Sequence, residues 1–458
     1  MFKAPDALAI VAAILIVIMA LTWVIPAGVY DRRMQTVDGH EMEVVVPGTY
    51  HTVEPSPQSV LSIFTAPLRG IQSAASIIAF VLLVGGAFGL LMRTGAIDAG
   101  LFRILRSAEK SKTRKRLVIP LLIGAFALCG YSFGMSEETL VFVLITLPLA
   151  RSMGYDNVVG IAIPFVGAAV GFAGAAFNPF TVGIAHGIAE LPLFSGAGYR
   201  TIITIVFTAL TAGYVMRYAH RIEANSNLRF IPDLDGAATL DETPLTGRRK
   251  VVLLAFAASL AGVILGAVYS GWYLAEISGL FIGLGIFAVL LCKVNLPNAM
   301  AAFYSGAREM LPAALIIGLS KSVLLIATDG QIIDTVLHAM VSVTDGLPQV
   351  VAVQIMFFVQ GAINFFIPSG SGQAAITIPI MAPLADLMGI SRQTAVLAYQ
   401  FGDGLFNLII PTSGVTMGVL SIAKIPFGRW LRWIMPLFIA LIVASMVFLA
   451  LPVVFFEW

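Results

Sequence analysis

The sequence predicts an all-α polytopic membrane protein made of inverted repeats, each with a re-entrant helical hairpin and a broken transmembrane helix. Three observations carry that expectation. Hydrophobic residues form 59% of the 458-residue chain and charged residues 11%, against roughly 25% charged in a soluble domain, and the mean hydropathy is +0.94. Apolar runs long enough to cross a bilayer alternate with shorter ones that are not. Motifs of the first half return, in order, in the second. The formal net charge is only +2, so the expected surroundings are a lipid bilayer and no nucleic-acid partner is expected. Cys129 and Cys292 both lie in apolar segments and are read as packing residues rather than a disulfide or metal set.

Full-length spans are expected near 7–27, 73–93, 200–218, 250–270, 272–292, 309–328 and 433–454. The first is long for a signal-peptide core and lacks a clear cleavage site, so it is read as a membrane helix. Basic residues set the orientation: "RILRSAEKSKTRKR" (103–116) carries seven and the 216–250 loop carries six, so both are expected in the cytoplasm. The polar loop 28–60 then faces outward, with strand character at "EMEVVV". This reading puts the N-terminus in the cytoplasm of a bacterial inner membrane and the C-terminus on the periplasmic side.

Between the two cytoplasmic loops the chain must cross an even number of times, yet three apolar elements lie there. The parity works if 117–151 enters and leaves on one side as a hairpin with "YSFGMSEET" at its tip, deep in the membrane. In the second half "PLADLMG" (383–389) repeats "PLARSMG" (148–154), "DGQIID" (329–334) follows "TGAID" (94–98), and Thr416/Gly418 follow Thr181/Gly183. A second hairpin is therefore expected over 347–386, with "FFIPSGSGQA" at its tip. The span at 250–270 has no counterpart, and one extra crossing inverts the second unit. The expected units are 1–218 and 272–458, joined by a linker and connecting helix over 219–271, with scaffold and transport parts interleaved across the repeats.

Each hairpin precedes an apolar stretch interrupted by helix-disrupting residues. These are "GFAGAAFNPFTVGIAHG" within the first broken helix (156–190) and "FGDGLFNLIIPTSGVTMG" within the second (392–422). Pro179 and Pro411 each lack a backbone donor and are read as the break points. Unwound backbone at membrane depth must be buried in protein or line a cavity, and two tips facing two broken helices are a usual design for a secondary transporter site.

The chain resembles the C4-dicarboxylate anaerobic carrier family, in its YfcC-like branch, within the ion transporter superfamily. "TGAIDAG", "GMSEETLVF", "FNPFTVGIAHG" and "NLIIPTSG" carry the resemblance, which covers nearly the whole chain. It implies an elevator-type secondary active transporter working as a homodimer, with an ion site at each tip and the substrate between them. It also implies a polar set of Ser136, Thr139, Asn178 and Thr181 on one side. Ser369, Ser371, Gln373, Asn407, Thr412 and Ser413 stand on the other. The candidate Na+ ligands are Ser136, Asn178, Ser371, Asp403 and Thr412, and the substrate set adds Glu137, Glu138 and Gly370.

Glu137 and Glu138 depart from the symporters' Ser-Asn-Thr signature. Carboxylates inside a membrane are costly and mark functional sites by default. They are read as contacts for a cation, a proton or a substrate ammonium group, with helix capping as the alternative. Asp403 has either a site role or a structural role as partner of Lys321, which lies inside a span. His186 and His338 are read as interfacial or packing residues.

The function expected is carriage of a small carboxylate-containing metabolite coupled to Na+ or H+, with an amino acid or short peptide favoured and no cofactor. The alternatives are a C4-dicarboxylate carrier or an amino-acid exchanger. A channel or an intramembrane enzyme is disfavoured, because no nucleophile–base pair, no His-Glu-x-x-His helix and no Walker loop appears.

Overall fold

A computed structural model describes residues 7–37, 40–100, 103, 112–225, 228–229, 244–270, 272, 274–342, 347–455 and 458. Of the basic segments that set the expected orientation, 104–111, 226–227 and 230–243 lie outside these residues. Among the described residues the chain is helical apart from two small ribbons, and six helices are long and apolar enough to cross a membrane. The protein is a multi-pass membrane protein.

The first helix, α1 (Ala7–Leu21), has only 15 residues, about 22 Å of rise. It stops where Thr22 turns its hydroxyl onto the Met19 carbonyl (2.7 Å) and Pro26 approaches. The apolar run expected over 7–27 is thus not one full span. Beyond it β1 (Gly28–Val29) pairs with β4 (His51–Thr52), and β2 (Arg32–Val37) pairs antiparallel with β3 (His40–Val45), Arg32 opposite Val45. Strand character at "EMEVVV" therefore has a ribbon partner.

The helix α2 (Val60–Ser73) was not expected from the sequence. It is amphipathic, burying Ala66 and Gly70 while Leu61, Phe64 and Leu68 stay exposed, and so lacks a continuous apolar run. Gly70 packs directly on Gly318 and Ser322 of α11 (Leu296–Asp329). That helix begins 13 residues before the expected 309–328 span. Asn295 caps it by accepting from Asn298 N (3.0 Å), and its Arg308 and Glu309 interrupt the hydropathy without interrupting the helix. It is zipped to α3 (Ala75–Arg93) at Gly85/Gly306 and Gly89/Ala302, where a side chain would overlap backbone. The helices α8 (Ala197–Ala224), α9 (Gly247–Ser270), α10 (Leu274–Leu291) and α17 (Phe427–Val454) follow the expected spans, and a short helix α12 (Ile333–Ser342) comes directly after α11.

The first helix pair is α4 (Lys112–Phe133) and α5 (Thr139–Ser152), joined by a five-residue tip, 134–138. The second is α13 (Gln349–Phe366) and α14 (Gly370–Leu387), joined through Ile367, Pro368 and Ser369. Each arm of the second pair has 18 residues, about 27 Å and nearly a bilayer core, so these arms are longer than the sequence suggested. The matched turns that end the two pairs share one geometry: Gly154 and Gly389 take φ of 84° and 67°.

Both interrupted helices are present. The first runs Asn157–Ala173 as α6, with a widened π turn at Ala162–Val166 around Pro164, then breaks over 174–178. It resumes at Pro179–Gly183 and Ile184–Ile188 (α7). The second runs Arg392–Phe406 (α15), breaks over 407–413, and resumes as Gly414–Ile422 (α16). Pro179 is not the break itself. It opens the following half-helix, where no donor is needed, and Asn178 caps that half-helix.

The two units are tied reciprocally. Asn157, at the start of the first interrupted helix, donates to Ala423 O at the end of the second (2.8 Å). Arg392, at the start of the second, donates to Ala189 O at the end of the first (2.9 Å). At their middles α6 and α15 meet where Gly404 lies against Ala173, leaving no room for a Cβ.

Candidate functional site

The five-residue tip of the first pair is shaped by its own polar groups. Gly134 has φ of 75°, a conformation L side chains rarely adopt, and its Cα abuts the Asn178 amide. Thr139 Oγ1 donates to Ser136 O (2.5 Å), and Ser136 N donates to the Glu138 carboxylate (3.1 Å). Glu138, 5% exposed, therefore braces the tip from within. Glu137 points the other way, into a cavity of about 210 Å³.

The same cavity is lined by the second tip through Ser369, Gly370 and Ser371, and by the second break through Asp403, Asn407, Thr412 and Ser413. Thr181, from the first interrupted helix, and Ser136 and Thr139 complete the polar part. Phe165, Phe172 and Phe180 supply an apolar wall. A Cβ placed on Gly370 would touch Thr181 (2.4 Å) and Asp403 Oδ2 (2.7 Å), so the second tip sits against both interrupted helices.

Eleven of the fourteen residues singled out from sequence thus meet at one cavity. Three do not. Glu138 faces inward as described. Asn178 accepts from Phe180 N (3.0 Å), and its own amide N lies buried against Gly134 without a partner. Gln373 donates to Gln360 at the main chain (2.9 Å) and side chain (2.7 Å), clasping the two arms of the second pair together. With Asn178 outside the cavity, the candidate Na+ set is not gathered as a whole.

Asp403 is 1% exposed. Asn407 Nδ2 donates to its main-chain O (2.8 Å) and reaches Oδ1 (3.3 Å), Asn364 Nδ2 donates to the same main-chain O (3.0 Å), and Oδ2 has no partner. Thr412 spends its hydroxyl on Phe365 O (2.6 Å), and Tyr399 donates to Gly370 O (2.7 Å), holding break and tip together.

Sequence reasoning left Lys321 open between a buried ion pair with Asp403 and a functional role. It too lines the cavity, from α11, and interacts electrostatically with Glu137. Among the described residues no ion pair within 4.0 Å joins Lys321 to either carboxylate. The cavity lining therefore carries two carboxylates, Glu137 and Asp403, and one ammonium, Lys321. The starts of α5, α14 and α16 all reach it, so three positive helix ends also point inward. No cluster of three His, Cys, Asp or Glu suited to a metal occurs among the described residues.

Other singled-out residues have packing roles. Cys129 and Cys292 are unpaired and apart from the cavity. His186 is fully buried beside Gln393, and His338 stacks on Tyr50 at 4.0 Å.

The profile of the C4-dicarboxylate anaerobic carrier family matches residues 4–454. The chain is 33% identical over 468 residues to the "Putative basic amino acid antiporter YfcC" of Escherichia coli K12, covering 93% of this chain and 92% of that one. It is 28% identical over 504 residues to an uncharacterized protein of Haemophilus influenzae, covering 99% and 97%. Among solved structures it is similar to the Alcanivorax borkumensis YdaH transporter (18% identity, TM-score 0.41, 98% of each chain). It is also similar to Neisseria gonorrhoeae MtrF (16% identity, TM-score 0.44, 98% and 95% covered). By the family profile and the relative at 33% identity, the chain is a membrane carrier that belongs to the C4-dicarboxylate anaerobic carrier family, in its YfcC-like branch.

Proposed function

We propose that the protein is a secondary active carrier for a small amino acid or short peptide, coupled to Na+ or H+, in which the two tips and interrupted helices slide against a fixed scaffold. The observation that carries this reading is the mixed charge of the cavity lining, in which Glu137 and Asp403 share one space with Lys321. A zwitterion fits that field, its ammonium toward the carboxylates and its carboxylate toward Lys321 and the helix ends. The cavity, about 210 Å³, is smaller than the roughly 300–1,000 Å³ of drug-sized sites and suits a small metabolite.

Two carboxylates and one ammonium leave the lining with a formal charge of −1. A zwitterion and one coupling cation neutralise it together. A basic amino acid neutralises it alone, which favours a second reading as a basic amino-acid exchanger, in line with the printed name of the Escherichia coli relative. A C4-dicarboxylate would need three cations to reach the same neutrality, so the charge speaks against it despite the family's name. The repeats are read as inverted, the chain as a homodimer of the bacterial inner membrane, its N-terminus in the cytoplasm.

Proteoliposomes offered neutral amino acids, basic amino acids, dipeptides and succinate, with and without Na+ or proton gradients, test the reading. Gradient-driven accumulation of a neutral amino acid, with inward positive current, is the expected result. Gradient-independent exchange of arginine or lysine establishes the second reading. Succinate as the sole transported compound overturns both.

A further inference from the structure

Lys321 stands on a part of the molecule different from the carboxylates it faces. Its helix, α11, is zipped to α3 through glycine contacts and to α2 through Ser322 Oγ, which donates to Ala66 O (3.0 Å). Arg69 of α2 also pairs with Asp329 at the end of α11. Glu137 rides on the tip of the first hairpin, whose arm α5 packs on α16, and Asp403 on the second interrupted helix, whose α15 packs on α13 and α14. The boundary between the two assemblies passes through the cavity, where Ile317 of α11 touches Gly414 of α16.

We propose that Lys321 is a resident counter-charge that holds the empty carrier in place and is relieved by a cationic group of the cargo. This rests on the carrier reading given above. Without cargo, the buried Glu137 and Asp403 have Lys321 as the cationic side chain in the cavity lining. Moving them past the fixed α11 would separate buried charges, which is costly in a low-dielectric interior. An ammonium group or coupling cation seated beside Glu137 and Asp403 takes over that neutralisation, and the loaded assembly is free to move. Lys321 would then set the coupling: it slows return of the empty carrier and so favours exchange over net flux.

Exchange and net flux of the transported amino acid are to be compared in proteoliposomes holding wild type, Lys321→Met, Lys321→Gln and Lys321→Arg. The neutral variants should lower the ratio of exchange to net flux by roughly 5-fold or more, the lower end of usual coupling, while Lys321→Arg keeps it near wild type. Neutral variants that fold, bind and keep the wild-type ratio overturn the inference and leave the carrier reading standing. Absence of any amino-acid flux in wild type overturns the carrier reading and this inference with it.

A second measurement keeps Lys321 in place. A Cβ at position 414 would lie 3.5 Å from Ile317 Cβ, within disulfide range. In a chain with Cys129 and Cys292 replaced by Ala, the pair Ile317→Cys and Gly414→Cys should cross-link fast when empty and more slowly with the amino acid present. Cross-linking indifferent to that ligand overturns the inference even if the neutral variants fail to fold.

Discussion

Substitutions at positions 137 and 138 should read out differently, because the first side chain faces the cavity and the second bonds to Ser136 N. Glu137→Gln should leave thermal stability near wild type and weaken an ammonium-bearing ligand about 10- to 100-fold, the size of one charged hydrogen bond. Glu138→Ala should lower stability by about 1–3 kcal/mol through the unpaired buried amide, with ligand affinity of the folded protein unchanged. Thermal melts with and without ligand check both. Two carboxylates in an apolar run were visible in the sequence as either a site or helix caps, and the structure divides the two roles between Glu137 and Glu138. Which of the two faces the cavity was not visible there, because a tip without helical period leaves side-chain direction undetermined. Lys321 was recognised as out of place in a span, but its role depended on where α11 runs relative to the tip.

At the scale of elements, the first tip depends on one backbone conformation. Gly134→Ala forces a left-handed φ on a residue with a Cβ and drives that Cβ to 2.4 Å from the Asn178 amide. It should cost about 1–3 kcal/mol. Gly124→Ala, in the helix α4 that leads to the tip and with open space around it, should be neutral or stabilise by about 0.5–1 kcal/mol. Denaturation of the two variants in detergent distinguishes a tip effect from a general effect of glycine replacement. Hairpins and interrupted helices were legible because Gly, Asn, Ser, Thr and Pro concentrate where apolar runs fall short. The helix α2 and the first 13 residues of α11 were not, since amphipathic or charge-bearing helices leave no long apolar run.

Across the whole molecule, distant segments close on each other in a small head formed by the two ribbons and the chain that follows α11. Tyr30 N and Arg32 both donate to Asp334, some 300 residues away, and Tyr30 Oη meets His338 Nδ1 (3.1 Å). Burial, and next the charge of Asp334, push the Tyr30 phenol up to about 12. An unfolded tyrosine ionises near 10, so the protonated phenol supports the head fully below that pH and the support fades as pH climbs toward 12. The head should loosen over that range, and Tyr30→Phe should remove one phenol from the late-ionising part of a phenolate absorbance titration. Long-range closure of this kind had no signal in the sequence beyond the "DGQIID" repeat. The crossing of two units was legible through that repeat and "PLADLMG", whereas the ties from Asn157 to Ala423 and from Arg392 to Ala189 required the folded chain.

The same head carries a ribbon whose open end is fastened to two different neighbours. Arg32 on one strand is held to Asp334, just beyond α11, while Val44, opposite Arg33 on the other strand, is buried among Ala374, Ile378 and Val396 of α14 and α15. Such a clasp resists travel: if α14 slides while α11 stays, either Arg32 must release Asp334 or Val44 must unseat on every stroke. With the two anchors a single cross-strand step apart, the ribbon has no slack to give before one of them lets go.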